Sequence, residues 1–229
     1  MSAKPNHLAI IPDGNRRWTR EHGLTESAGY KKGVETSIKI ARYLRNIGVH
    51  TFTLWGFSRE NWGRHEKERS SLFALVEILE SYIREAVRND VRIVHLGSKD
   101  RLPSALLNRI NKAEEETAHL KKHILNIAFD YGGRDEIVRA IKKMDASKFN
   151  ISELNEENIG QFLDTSTQPY PDPDLIIRTS GERRTSGLLP WQSVYSELVF
   201  IDKYYPDLTE DDIKQAIDEF MRRKRRFGK

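Results

Sequence analysis

Cysteine is absent from the chain, which excludes disulfides, thiolate nucleophiles and cysteine metal sites and leaves any chemistry to oxygen and nitrogen groups. Also missing is any apolar run near the roughly 20 residues that a bilayer-spanning helix needs. Met1 to Asn6 hold no signal-peptide hydrophobic stretch. The expectation is a soluble, cytoplasmic protein with at most peripheral membrane contact. No internal repeat or low-complexity linker breaks the 229 residues, which suit one domain, 1–229, with a core large enough to need no staples. The formal charge of +4 owes much to the run Arg222-Arg223-Lys224-Arg225-Arg226. Such a run suits any anionic partner, and a solvated helical tail is the plain alternative.

What is present alternates between two periods. His7 to Ile11, Val49 to Trp55, Val91 to Leu96, Ile124 to Phe129, Leu175 to Ile177 and Leu198 to Ile201 are short apolar, often β-branched runs that read as six buried strands. Between them, helical spacing recurs in Val34, Ile38, Ala41 and Leu44, again in Leu72, Leu75, Val76, Leu79, Ile83 and Ala86, and after Pro103 and Gly133. Asp145 to Pro173 is polar and proline-containing and reads as a short helix near Asn155 to Leu163 followed by an ordered surface loop. Thr209 with Asp212 predicts a capped last helix carrying Ile213, Ala216, Ile217 and Phe220. Alternating strands and helices imply an α/β fold with a mainly parallel sheet covered on both faces.

In such sheets ligands sit beyond the carboxyl ends of the strands, and four segments there carry unusual residues. Asp13-Gly14-Asn15-Arg16-Arg17-Trp18 combines a glycine that lets backbone approach a ligand with two arginines, although Asp-Gly-Asn is also an ordinary tight turn. Phe57-Ser58-Arg59-Glu60-Asn61-Trp62-Gly63-Arg64 packs polar and charged groups between aromatic rings. That mixture is costly to bury without a ligand, and a capped helix start with Ser58 or Asn61 as the cap reads equally well. Arg178-Thr179-Ser180-Gly181-Glu182-Arg183-Arg184-Thr185-Ser186 gathers arginine forks suited to phosphate oxygens, with a salt-bridged surface loop as the alternative. Trp191 to Phe200 holds one carboxylate, Glu197, in uncharged surroundings, which needs an arginine or a metal beside it. Mg²⁺ prefers one or two carboxylates plus substrate phosphates, and Asp13 with Glu197 is one way to supply them.

In order and spacing these segments resemble the signatures of the cis-prenyltransferase (undecaprenyl diphosphate synthase) family. The matching stretches are His7 to Trp18, Phe57 to Trp62, Asp174 to Arg184 with Ser186, Trp191 to Phe200, and Arg225-Arg226-Phe227-Gly228. The resemblance spans essentially the whole chain. It implies a six-stranded, mostly parallel sheet with a hydrophobic tunnel, a homodimer, and a Mg²⁺-dependent enzyme joining isoprenoid diphosphates, with no nucleic-acid partner. By resemblance, Gly14, Arg16 and Arg17 hold the allylic diphosphate, and Asp13 positions Mg²⁺ with help from Glu197. Arg178, Arg184 and Ser186 hold the second substrate, usually isopentenyl diphosphate. Asn15, Ser58 and Asn61 match positions near the reacting carbons. Trp18, Phe57 and Trp62 are placed to pack against prenyl carbons or, equally, within the core. Arg64 joins the substrate-binding set, and Arg226 and Gly228 match an Arg-x-Gly ending that reaches a diphosphate across the dimer.

The chain departs from the family pattern around both substrate positions. Glu26 and Tyr30 stand where an arginine and a histidine near the allylic diphosphate are usual, and tyrosine is no cation near neutral pH. Pro12 replaces the common methionine and Arg183 a frequent histidine, and Gly187 and Pro190 interrupt the usual Ser-Asn-Phe-Leu-Leu-Trp-Gln. Phe129 stands where a small tunnel-facing residue is frequent, while Gly56 replaces the common alanine. A short product of roughly ten to twenty carbons is expected from the bulky Phe129 ring. The expected reaction is condensation of an allylic diphosphate with isopentenyl diphosphate. An irregular head-to-middle coupling of two dimethylallyl diphosphates, as in lavandulyl-type synthases, is the alternative. A non-catalytic partner subunit is the non-enzyme alternative, and the retained Asp13 argues against it.

Overall fold

The computed structural model of the protein describes residues 3–63 and 76–224. In chain order its regular elements are β1 (His7–Ile11), α1 (Asn15–Glu21), α2 (Glu26–Asn46), β2 (Thr51–Ser58), α3 (Val76–Arg88), β3 (Val91–Leu96), α4 (Ser104–Thr117), β4 (His123–Tyr131), α5 (Gly133–Ala146), α6 (Glu156–Gly160), β5 (Leu175–Arg178), β6 (Glu197–Phe200) and α7 (Glu210–Arg222). The six strands form one sheet in the order β3-β4-β2-β1-β5-β6, and every pairing among them is parallel.

β1 is buried at all five positions, as a continuous apolar run in a parallel sheet must be. Its side chains divide by parity. Leu8 and Ile10 join Phe52, Ile93, Leu125, Leu175 and Ile177 in a core closed by Ile40 and Leu44 of α2 and Ile213, Ile217 and Phe220 of α7. Ala9 and Ile11 face the other way, toward Trp55, Ala128, Tyr131, Ile176, Leu188 and Leu189. The final helix starts as its sequence predicts. The Thr209 side chain accepts from the Asp212 N–H and Asp212 returns the bond to the Thr209 N–H, so the first turn is capped from both sides.

Two readings change. β2 extends to Ser58 rather than ending at Trp55, with register shifts between Trp55 and Phe57 and between Phe57 and Ser58. Those shifts leave Gly56 exposed and turn the Phe57 ring into a cluster with Phe129 and Tyr30. The segment after α6 is not wholly a surface loop, because Thr165 and Gln168 are buried. Asn126 lies fully buried in the middle of β4 and needs partners. Gln168 supplies them through a reciprocal amide pair of 3.0 and 2.8 Å. Asn126 also donates to Thr53 Oγ1 at 2.9 Å, and Thr53 meets His7 Nε2 at 2.7 Å. The predicted helical positions Leu72 and Leu75 lie outside the described residues.

Candidate active site

β1 and β5 lie side by side with Ile11 opposite Arg178, so the loops that leave their carboxyl ends meet. At Gly14 the backbone has φ +99°, and a Cβ there would lie 2.7 Å from Tyr204 and 2.8 Å from Ser180 Oγ, so both conformation and space require glycine. The Thr179 hydroxyl accepts from the Asp13 N–H at 2.9 Å and donates to the Asp13 carbonyl at 2.8 Å. Tyr205 N–H adds a 3.0 Å bond to the same carbonyl. These bonds fix where the Asp13 carboxylate points. Its Oδ1 accepts from Gly14 N–H at 2.7 Å, and its Oδ2 accepts from Arg178 Nη2 at 2.8 Å.

Arg178 is buried, and its fork reaches further. Nη1 donates to the Arg184 carbonyl and to Ser186 Oγ, both at 2.7 Å. One guanidinium therefore joins the Asp13 loop to the Arg184–Ser186 loop. Arg17 stands 3.5 Å from Asp13 and 3.4 Å from Glu182, over the Tyr204 ring, and Arg184 pairs with Glu182 at 2.5 Å.

These residues form the mouth of a cavity of about 750 Å³. Arg16, Arg17, Arg20, Arg178 and Arg184 line it against the two carboxylates Asp13 and Glu182, a positive surplus that favours an anion. Inward the lining turns apolar, with Val34, Ile38 and Ala41 of α2, Phe52 and Leu54 of β2, and Leu125, Ile127 and Phe129 of β4. The α2 residues follow the helical repeat that the sequence displayed. Phe57 stacks on Phe129 at 5.0 Å between ring centroids. Tyr205, missed in the sequence, is buried in the wall and bonds to Ser37 Oγ at 2.8 Å. Since Ser37 donates to the Gly33 carbonyl, Tyr205 is the donor, and burial pushes its hydroxyl well above the usual phenol range.

Of the predicted residues, Asp13, Gly14, Asn15, Arg16, Arg17, Tyr30, Phe57, Ser58, Asn61, Arg178, Arg184 and Ser186 all line this cavity. Asn15 donates to the Pro12 carbonyl at 3.1 Å, while its buried Oδ1 has no partner. Asn61, within the 3-10 turn Arg59–Gly63, reaches back so that its Oδ1 accepts from Ser58 N–H at 3.0 Å. Trp62 stands behind Phe57, edge-on at 5.5 Å.

Of its two readings, Trp18 takes core packing. It is buried away from the cavity lining and stacks on His22 at 4.2 Å, because the short α1 turns that face inward against its neighbours. Glu26 is exposed in the first turn of α2 and also lies outside the lining, so of the two departures Tyr30 alone alters the cavity. Glu197 is not beside Asp13 within the chain. It pairs with Leu175 at the amino end of β6, three positions before Phe200, which aligns with Arg178. Its carboxylate meets Arg223 at 2.7 Å, so the cation demanded by its surroundings is an arginine. Arg64, Arg226 and Gly228 lie outside the described residues. Among the described residues no three His, Asp or Glu side chains gather as a metal site, and Asp13 is the carboxylate left facing the mouth beside Glu182.

A family model described as "Putative undecaprenyl diphosphate synthase" matches residues 11–228. The chain belongs to the undecaprenyl diphosphate synthase family. It is 43% identical to an isoprenyl transferase of Aquifex aeolicus over 100% of this chain and 98% of the relative. It is 42% identical to one of Streptococcus mutans over 100% and 94%. Among solved structures, a lavandulyl diphosphate synthase from Lavandula x intermedia, in complex with dimethylallyl diphosphate, superposes with a TM-score of 0.94 at 33% identity, covering 99% of both chains. A probable undecaprenyl diphosphate synthase from Campylobacter jejuni gives 0.83 at 35% identity over 100% of both. Membership makes the protein a prenyltransferase, an enzyme of isoprenoid diphosphate chemistry. No helix among the described residues is long and apolar enough to cross a membrane.

Proposed function

We propose that this prenyltransferase builds a short prenyl diphosphate from five-carbon units, and that it does so by joining two dimethylallyl diphosphates. The observation that carries this is the cavity, cationic at its mouth and apolar inside, with Phe57 stacked on Phe129 in its wall. Its volume of about 750 Å³ falls within the roughly 300–1,000 Å³ of sites for small ligands. Such a site suits two five-carbon diphosphates rather than a long polyprenyl chain. The close superposition on a lavandulyl synthase that holds dimethylallyl diphosphate supports the irregular coupling. The regular condensation with isopentenyl diphosphate is the second reading, favoured by the higher identity to isoprenyl transferases.

In either case, Arg16, Arg17 and the backbone from Gly14 hold the allylic diphosphate, and Arg184 with Ser186 holds the second. Arginines fixed in advance stabilise charge as it moves onto the departing oxygens. Tyr30, Phe57 and the apolar lining exclude water from the allylic carbon as its C–O bond breaks. The double bond of the second unit then forms the new C–C bond, and a proton leaves that unit. Asn15 Oδ1, unpartnered and buried in the wall, offers lone pairs to the cationic carbon or to that proton. Mg²⁺ fits the mouth in the mode that uses one protein carboxylate with substrate phosphates. Asp13 would hold it, and the ion would neutralise the leaving diphosphate. A homodimer agrees with the half-exposed Val138 and Ile141 and with the exposed Val194 and Tyr195.

The test supplies purified protein and Mg²⁺ with dimethylallyl diphosphate alone or with isopentenyl diphosphate, and identifies the dephosphorylated alcohols by mass spectrometry. A branched ten-carbon alcohol from dimethylallyl diphosphate alone supports the first reading. Products that require isopentenyl diphosphate select the second. Long polyprenols overturn the short-chain claim.

A further inference from the structure

At the carboxyl end of β4 the Asp130 side chain is fully buried and holds three segments of the chain together. Its Oδ1 accepts from the Trp62 indole N–H at 2.8 Å. Arg101, from the turn before α4, donates to Oδ2 through Nε at 3.2 Å and to Oδ1 through Nη2. The Arg101 guanidinium also lies over the Trp62 ring, 5.1 Å from its centroid. The backbone is committed to this arrangement. Asp130 takes φ +49°, and Gly97 approaches so closely that a Cβ would lie 2.3 Å from the Phe129 carbonyl. Trp62 in turn meets Phe57 edge-on at 5.5 Å, and Phe57 stacks on Phe129 at 5.0 Å.

We propose that Asp130 and Arg101 are positioning residues for the apolar half of the allylic site: they clamp Trp62, and through it set the Phe57 and Phe129 rings that meet the prenyl chain. The inference rests on the reading of the cavity as a prenyl site and adds the residues that fix its wall. A buried carboxylate is costly unless its charge and lone pairs are met. Here both oxygens are met by a cation that is itself seated on the indole it helps to position. Asp130 and Arg101 touch no reacting atom, and neither lines the cavity. Their effect is confined to the chain and spares the diphosphate.

The experiment compares binding of dimethylallyl thiolodiphosphate, an unreactive stand-in, with binding of inorganic diphosphate, both followed by isothermal titration calorimetry. The wild type is expected to prefer the prenyl ligand. In D130N that preference falls about tenfold, the scale of one or two aromatic contacts, with inorganic diphosphate unchanged. R101Q, at a partly exposed position and so less exposed to misfolding, moves the same way, and R101K recovers part of the loss because lysine lacks the fork. W62F combined with D130N is no worse than either alone, since both break one link. Equal losses for both ligands, no loss in either variant, or additive losses in the double variant overturn the proposal. A wild type without preference for the prenyl ligand overturns the cavity reading and this inference with it, and that arm alone tells the two failures apart.

Discussion

Acidification should loosen this fold through one imidazole. His7 is fully buried at the start of β1, and desolvation, the largest influence on it, holds its pKa down at about 4 against the ordinary 6.5. The bonding pattern shows why a second proton has no place. Nδ1 faces the Tyr170 carbonyl at 3.0 Å, which only accepts, so Nδ1 carries the proton of the neutral ring. Nε2 then accepts from the Thr53 hydroxyl at 2.7 Å, and Thr53 accepts from Asn126. Protonating Nε2 sets two donors against one another inside the sheet. Because the folded pKa lies below the unfolded one, the unfolded chain binds the extra proton between pH 6.5 and about 4. Stability from His7 is therefore complete above 6.5 and is lost as pH falls through that window. At about 1.36 kcal/mol per pH unit the loss is about 2 kcal/mol at pH 5 and about 3.4 kcal/mol below pH 4. For a chain of this size, 2 kcal/mol is roughly 4–8 °C in Tm. Calorimetric Tm from pH 7.5 to 5 should fall more steeply in the wild type than in H7Q, whose amide supplies one donor and one acceptor without titrating. Comparing slopes removes groups such as Glu136, whose burial raises its carboxyl pKa and acts in the opposite sense. Parallel profiles would refute the reasoning.

Three further outcomes follow from the site. G14A forces a left-handed backbone onto a residue whose Cβ meets Tyr204 and Ser180, so turnover should fall by roughly a hundredfold or more as Asp13 is displaced, measured by release of diphosphate. F129A removes one ring of the stacked pair in the cavity wall and should lengthen the product by at least one five-carbon unit in mass spectra, at a cost of about 3–5 kcal/mol in denaturant unfolding. D13N should abolish Mg²⁺-stimulated turnover, whereas E197Q, which removes a partner of Arg223 rather than a neighbour of Asp13, should lower stability by about 1 kcal/mol or less and leave the dependence on Mg²⁺ concentration unchanged.

Much of this architecture is visible in the residues because burial writes periodicity into them. β1 and β3 run over the spans their apolar residues mark, and the cap of α7 announces itself as Thr209 and Asp212. Parallel strands buried on both faces leave no alternation to mark their polar ends, which is why β2 runs on past Trp55 through its bulge. The arginine loops were legible as chemistry, since clustered guanidinium groups beside glycine have few other uses. Thr179 and Tyr205 were not, because a threonine and a tyrosine acquire their roles from a loop more than a hundred residues away. For Glu197 the need for a cation was readable, but which cation was not, because Arg223 comes from the residue just past α7.

The bond between Asp13 and Arg178 spans 165 positions of the chain. A ribosome adding about 5–20 residues per second therefore exposes the Asp13 loop for many seconds before its partner exists. During that interval β1 has only one of its two neighbours. The mouth of the cavity is complete only with β5 beside β1, so a chain interrupted before that strand carries the whole of its first signature without the guanidinium that joins it to the Arg184–Ser186 loop.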